Sequence, residues 1–179
     1  MIAVAEAACT ERALAVLDGV MDPEVPVLSV RDLGIVREVA AGEDGGVDVV
    51  LTPTYSGCPA TEVIAASVKG ALEAAGFAPV RVVTRLAPAW TTDWMSANGR
   101  ERLLASGIVP PGPVDPRIGA PIRFMPRRPG SASTPAQALA CPRCASTHTE
   151  RLSAFGSTAC KALWRCRACG EPFEHFKPL

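Results

Sequence analysis

The chain lacks a net charge, a membrane-length apolar run and all but two histidines. Eighteen Lys and Arg balance eighteen Asp and Glu over 179 residues, so no global field draws it toward nucleic acid or an anionic membrane, and any such binding must be local. No apolar stretch approaches the roughly 18 residues of a bilayer helix. The start, "MIAVAEAACTERALAVL", has no basic leader and carries Glu6, Glu11 and Arg12; a cytoplasmic protein without a membrane partner is expected. His148 and His175 both lie near the end of the chain, which leaves a thiol enzyme without an evident base. There is no glycine-rich dinucleotide fingerprint and no Glu-x-x-His pair of the kind used by di-iron helical bundles. Neither hydride transfer nor di-iron oxidation is therefore expected of this chain alone. No internal repeat is visible.

Cysteine is what the chain has in excess. Of seven, Cys9 and Cys58 stand alone, whereas Cys141, Cys144, Cys160, Cys166 and Cys169 crowd the last forty residues. In a reducing compartment such clustering points to metal and not to disulfides. "CPRC" and "CRACG" each bring two thiolates to one ion from a tight knuckle, and the 21 residues between them suffice for a hairpin that joins the knuckles. Cys141, Cys144, Cys166 and Cys169 then form a closed tetrahedral site. A module of roughly 40 residues cannot bury enough apolar surface to fold alone, so a structural ion supplies the missing stability. Zinc is the expected ion, with rubredoxin-like iron the competitor. Cys160 reads as a small buried residue and the two histidines as ordinary polar residues. Phe155, Trp164, Phe173 and Phe176 are needed as a miniature core before any stacking on nucleic acid.

The fold class expected is α+β: a small mixed three-stranded sheet with helices, in the order α-β-β-α-β-α, plus a C-terminal zinc ribbon. Leu14, Leu17, Val20 and Met21 share a helical face, and Asp22-Pro23 stops that helix near Asp22. Ile35 to Val39 and Val47 to Leu51 are β-branched runs joined by the glycine-rich "AAGEDGG", a hairpin. Ile64, Val68, Ala71, Leu72 and Ala75 recur at helical offsets, with Gly76 as the stop. Val80 to Leu86 reads as a third, half-solvated strand reached by a right-handed crossover. The turn "APAWTTDW" and a helix to about Ser106 complete a first domain at 1–108. Seven prolines between 110 and 129 exclude regular helix and interior strand, so 109–140 is a strap or linker. The ribbon spans 141–179.

The single thiol in "TPTYSGCPA" sits between a strand that ends near Thr52 and a helix for which Pro59 suits the first position. Cys58 would then cap that helix, where the dipole lowers its pKa and readies it to bind metal or to attack. Thr52, Thr54, Tyr55 and Ser56 offer hydroxyls to orient a ligand, and Gly57 keeps the approach open. "DPEVPV" sets Asp22 and Glu24 around a rigid proline, in a loop able to lie at the same sheet edge as the thiol. Lone cysteines are more often small buried residues chosen for fit, and an acidic pair after a helix is as often a solvated turn.

"DPEVPVLSVRDLGIV" followed by "TPTYSGCPA" resembles the SufT-like family of iron–sulfur cluster assembly and targeting factors, from Leu14 to about Leu86. With "CPRC", "FGSTACKALWRCRACGEPFEHFK" and "LAPAWTTDWM" added, the whole chain resembles the PaaD family, also called PaaJ, of the phenylacetyl-CoA ring epoxidases. Only the proline-rich middle carries no motif of that family. The resemblance implies an accessory protein of aerobic phenylacetate catabolism, in which a multicomponent di-iron monooxygenase epoxidises the CoA-activated ring. Oxygenase and reductase are separate chains there, so the implied role is maturation of their iron or iron–sulfur cofactors, with one or both as partners.

Two readings follow. In one, Cys58 with Asp22 or Glu24 transiently holds iron or a cluster. One thiolate and one carboxylate per chain are too few, so a homodimer, the client or a small thiol completes the ligand set. In the other, the ribbon is an adaptor for protein or nucleic acid and the first domain a scaffold. Arg123, Arg127 and Arg128 favour the second, although the neutral net charge disfavours nucleic acid.

Overall fold

The computed structural model describes residues 2–42, 44–114 and 139–179. The chain divides into two units, Met1–Ser106 and Gly107–Leu179. Most of the proline-rich strap, with Arg123, Arg127 and Arg128, lies outside the described residues.

The first unit follows the order α1 (Ile2–Leu17), β1 (Val36–Ala41), β2 (Val47–Leu51), α2 (Thr61–Ala74), β3 (Val80–Thr84) and α3 (Ala97–Ala105). Its sheet runs β1-β2-β3, with β1 antiparallel and β3 parallel to the central β2. This is the mixed three-stranded sheet expected. Val47, Val49 and Leu51 are buried along β2 at the period of two that a strand imposes. Ile64, Val68 and Leu72 are the buried stripe of α2. That helix closes with Gly76 at φ +86° and the Phe77 N–H donating to the Leu72 carbonyl, a Schellman ending.

α1 stops at Leu17, not near Asp22. Val20, which continues its apolar face in sequence, accepts at its carbonyl from the Val30 N–H, and Met21 bridges Ser29. Pairing with the returning chain offers these residues an alternative to another helical turn, and Gly19 lowers the cost of leaving the helix. β1 begins one residue later than expected, and α3 is a short helix capped by Ser96, whose hydroxyl accepts from the Gly99 N–H at 2.8 Å.

Asp32 ties the aromatic turn to this frame. Its Oδ1 accepts from the Ser96 hydroxyl at 2.7 Å and the Asn98 amide at 3.1 Å, and its Oδ2 lies 3.6 Å from Arg102. Burial pushes the Asp32 carboxyl up, yet the Ser96 and Asn98 hydrogen bonds, with a backbone N–H and Arg102, hold it below the usual carboxylate range. Two residues on, Gly34 has φ +70°, and a Cβ there would stand 2.3 Å from the Trp94 carbonyl oxygen. Trp90 Nε1 donates to the Leu33 carbonyl at 3.0 Å, so the turn docks on both sides of Gly34.

The second unit is one four-stranded sheet in the order β4-β7-β6-β5: β4 (Ile108–Val109), β5 (Thr149–Ser153), β6 (Lys161–Cys166) and β7 (Pro172–Phe176). β5, β6 and β7 are antiparallel neighbours, and β4 runs parallel to β7. Ile108 and Val109, placed by sequence at the junction of first domain and strap, are thus an edge strand of the ribbon sheet. Trp164, Phe173 and Phe176 are buried, whereas Phe155 is 63% exposed and carries Lys177 Nζ 4.6 Å above its ring. Trp164 and Phe173 pack with Cys141, Ala162 and Cys166 in one cluster and Phe176 is buried outside it, so the expected four-aromatic core is two rings short.

Gly34→Ala is expected to cost roughly 3 kcal/mol or more, because it adds a backbone clash to a left-handed conformation. The check is chemical denaturation followed by tryptophan fluorescence; an unchanged midpoint would show that the aromatic turn is not anchored there.

Candidate metal centres

Among the described residues, only the four cysteines of the second unit lie close enough together to hold one metal ion; the first unit carries the thiol and the two acids that the sequence singles out. In the first, Asp22, Glu24 and Cys58 come from two loops. The Asp22 side chain is only 5% exposed, and its Oδ1 accepts from the Glu24 N–H at 2.8 Å and the Val25 N–H at 2.7 Å, folding the chain around Pro23. The Asp22 N–H donates to the Leu28 carbonyl, closing the loop at its base. Cys58 is half-buried in the turn before α2, where its N–H donates to the Tyr55 carbonyl and its carbonyl accepts from both the N–H and the hydroxyl of Thr61.

The thiol differs from the expectation. α2 starts at Thr61 with Ala60 as its N-cap, so Cys58 stands two residues before the cap and Pro59 is not the first helical residue. Burial raises the Cys58 pKa, the Ala60 backbone N–H lowers it, Glu24 raises it, Thr61 lowers it and Asp22 raises it; the balance is upward, not downward. Both carboxylates therefore act on the thiol through their charge. Without a cation the group favours S–H over S⁻. With one, the same two carboxylates and the thiolate become attractive partners.

Thr52 and Thr54 do not join this group. Thr52, 2% exposed, lines a separate 190 Å³ hollow with Arg37, Arg85 and Trp94, and Thr54 makes no hydrogen bond to the thiol among the described residues. Thr61 is the hydroxyl that reaches Cys58. Its position three residues after the cysteine is the local side-chain to backbone spacing of a turn, the one signal that could have singled it out. Gly57 is exposed, and a Cβ there would meet only the Tyr55 ring, at 3.8 Å, so its lack of a side chain is no steric requirement.

In the second unit the Sγ atoms of Cys141, Cys144, Cys166 and Cys169 all lie within 4.8 Å of one another, with Cys141–Cys169 at 3.8 Å and Cys144–Cys166 at 3.6 Å. Four thiolates bound tetrahedrally at about 2.3 Å lie roughly 3.8 Å apart, so the donor set fits one ion. The two knuckles repeat the same backbone. Cys141 N–H donates to the Ser146 carbonyl and Ala145 N–H to the Cys141 carbonyl; Cys166 N–H donates to the Glu171 carbonyl and Gly170 N–H to the Cys166 carbonyl. The residue after each second cysteine is left-handed, Ala145 at φ +59° and Gly170 at φ +81°.

Backbone N–H groups of Cys169 and Ala168 hold the Cys166 thiol down at about 7. Cys144 receives the Ser146 N–H, but its thiol neighbours Cys169 and Cys166 push it up to about 12. Four thiols this close cannot all ionise without a cation among them. Cys160 is buried, 3.0 Å from the Thr158 hydroxyl and outside the group of four. His148 is exposed and His175 buried, and neither belongs to it.

Removing negative charge beside Cys58 should lower its raised pKa. Glu24→Gln is expected to speed alkylation of Cys58 at neutral pH several-fold relative to Cys9, read by mass spectrometry against pH. An unchanged or higher apparent pKa would show that the carboxylate does not act on the thiol.

Comparison with known proteins agrees with this division. A family model described as an iron–sulfur cluster assembly protein matches residues 10–82, and one described as the PaaD zinc beta ribbon domain matches residues 126–177. An Fe-S protein maturation auxiliary factor of Bacillus subtilis is 36% identical over 58% of this chain and 98% of its own length. One of Porphyromonas gingivalis is 38% identical over 50% of this chain and 83% of its own. The crystal structure of a domain of unknown function, DUF59, from Bacillus anthracis covers 56% of this chain and 96% of its own at a TM-score of 0.53 and 28% identity. A chain of Escherichia coli (strain K12) named as one of the subunits of a 1,2-phenylacetyl-CoA epoxidase is 48% identical over 91% of this chain and 89% of its own. On that match, and with the ribbon model, the chain belongs to the PaaD family of 1,2-phenylacetyl-CoA epoxidase subunits.

Proposed function

We propose that this protein is an accessory maturation factor that takes up iron or an iron–sulfur cluster at Cys58, assisted by Asp22 or Glu24, and delivers it to the oxygenase or reductase component of a phenylacetyl-CoA epoxidase. The observation that carries the reading is the half-buried thiol whose pKa is raised by burial and, further, by the charges of Glu24 and Asp22. Anionic groups gathered at one place favour a cation, and the proton on sulfur must leave when it binds. The names of the maturation-factor relatives support the accessory role, and the name of the epoxidase relative supports the choice of client.

A site with one thiolate and two carboxylates is open. It holds its cargo weakly enough to pass on, and a second copy of the chain, the client or a small thiol completes the ligand set during transfer. The carboxylates are hard donors suited to ionic iron, whereas a cluster draws mainly on thiolates. The protein itself catalyses no oxidation in this reading.

Cys141, Cys144, Cys166 and Cys169 would hold a resident zinc, which would serve as the second unit's structural centre with no open coordination position. Cys141→Ser is expected to lower zinc content well below one per chain and to expose the second unit to proteolysis while sparing the first. Full zinc retention would refute the ligand assignment, and iron in the wild-type protein at that site would replace zinc.

Cys58→Ser should leave the fold intact, since the half-buried thiol bonds only locally, and should leave the client short of iron when all components are expressed together. Serine is a poor ligand for iron at neutral pH. The deciding measurement is turnover of fully metallated oxygenase and reductase reconstituted without this chain. Undiminished turnover supports maturation. A loss restored equally by wild type and Cys58→Ser favours the adaptor reading, in which the protein is a standing component of the complex.

A further inference from the structure

One face of the second unit's sheet is hollow. Arg151 stands opposite Trp164 in the β5–β6 register, and Ala162 stands opposite His175 in the β6–β7 register. Opposed residues of an antiparallel pair, and residues two apart on a strand, project to the same face, so these four side chains lie together. A groove of about 530 Å³ opens over them. Its floor is Trp164, Ala162 and His175, with Pro110, Pro111 and Pro178 among its walls. The small Ala162 between two ring side chains gives the groove its depth.

Three observations point to a missing occupant. Trp164 is 6% exposed, and its Nε1 is buried without a hydrogen-bond partner among the described residues. Buried donors in folded proteins nearly always have an acceptor, so this one requires an explanation. His175 is buried and meets the Trp164 ring edge-on at 6.3 Å, which makes the floor aromatic. The two cations at the groove also lack carboxylate partners among the described residues. Arg143, Lys161, Arg165 and Arg167 each pair with a glutamate, whereas Arg151 has no carboxylate partner among the described residues. Among the described residues Lys177 meets the Ala154 carbonyl and the Phe155 ring and no carboxylate. Residues 107–179 carry ten basic and four acidic side chains, against eight and fourteen in 1–106, so the chain's neutrality is the sum of +6 and −6.

We infer that this groove docks an extended acidic segment of a partner protein. An apolar side chain of the segment lies over Trp164 and Ala162, a carbonyl accepts from Trp164 Nε1, and carboxylates meet Arg151 and Lys177. One small carboxylate would answer one cation; two cations, an orphan donor and an apolar floor call for groups spaced along a chain. The choice of a protein segment rests on the accessory role proposed above. The Bacillus subtilis maturation factor is matched over 98% of its length by 58% of this chain, so recognition of a particular client falls to what that relative lacks.

The test uses the full-length, zinc-supplied, ¹⁵N-labelled protein and two fluorescein-labelled peptides, Glu-Glu-Leu-Phe-Glu-Glu and Lys-Lys-Leu-Phe-Lys-Lys. The acidic peptide is expected to shift the Trp164 indole N–H resonance and to bind at least tenfold more tightly than the basic one by anisotropy, and increasing salt should weaken it. Arg151→Gln, an exposed change that leaves the core untouched, should weaken binding severalfold, as should Lys177→Gln. An unmoved indole resonance, equal binding of the two peptides, or an Arg151→Gln variant with wild-type affinity overturns the inference. So does phenylacetate alone binding the groove as tightly as the peptide, which would make it a small-carboxylate site. A mass that doubles with concentration and reverts in Arg151→Gln would make the groove a self-interface, with the same result. No iron is measured here, so failure leaves the Cys58 reading standing, and failure at Cys58 leaves this binding result standing.

Discussion

Two buried carboxylates used as hydrogen-bond acceptors fix the first unit. Asp22 gathers the N–H groups of Glu24 and Val25, and Asp32 gathers Ser96, Asn98 and Arg102. Both lie in the chain that leaves α1 for the sheet, a stretch with little regular structure whose backbone polar groups would otherwise need other partners. A carboxylate can accept several bonds at once, so one buried acid organises a whole turn. Without Asp32 the aromatic turn and α3 lose their common anchor. Without Asp22 the Asp22–Leu28 loop loses the bonds that present Glu24.

The elements with strong periodicity were legible in the sequence. α2, with Ile64, Val68 and Leu72, and β2, with its alternating valines, stand where the pattern places them. The end of α1 was not legible, because Val20 and Met21 keep the helical period while tertiary pairing with Ser29 and Val30 takes them out of the helix. Cys58 was misplaced for a related reason. Proline suits the first turn of a helix, but it also suits the turn before one, and here Thr61 begins the helix. Two residues are enough to move the thiol off the helix cap, and burial and the two acids then outweigh the Ala60 and Thr61 hydrogen bonds in setting its pKa. Phe155 illustrates the limit of composition: aromatic content predicts a core but not which ring is left outside it.

In the second unit two of the four clustered cysteines are themselves core residues. Cys141 and Cys166 pack with Ala162, Trp164 and Phe173, while Cys144 and Cys169 face outward. The hydrophobic cluster is small, so a cation neutralising four thiolates would be an integral part of the packing and not an addition to it. The two knuckles share their hydrogen bonds but not their last residue. Gly170 adopts the left-handed conformation freely, whereas Ala145 does so at a cost of about 1 kcal/mol or somewhat more. The backbone of the first knuckle is therefore held by the fold around it, chiefly the Cys141–Ser146 and Ala145–Cys141 bonds, against its local preference.

The contrast between the two thiol sites bears on what each can do. In the ribbon, four thiols lie at the spacing of a single tetrahedral ion, and backbone N–H groups already bring one of them to about 7. Such a set binds tightly and closes around its ion. At Cys58, burial and the charges of Glu24 and Asp22 keep the proton on sulfur, so every binding event must displace that proton against a raised pKa. Proton competition lowers affinity near neutrality and lowers it further as pH falls, because a group whose pKa is raised retains its proton over a wider range. A weak, proton-gated thiol beside two carboxylates is poorly suited to keeping a metal and well suited to releasing one. In the proposed reading, one chain would separate permanent from transient metal binding by the number of thiolates it supplies and by the charge it places beside them.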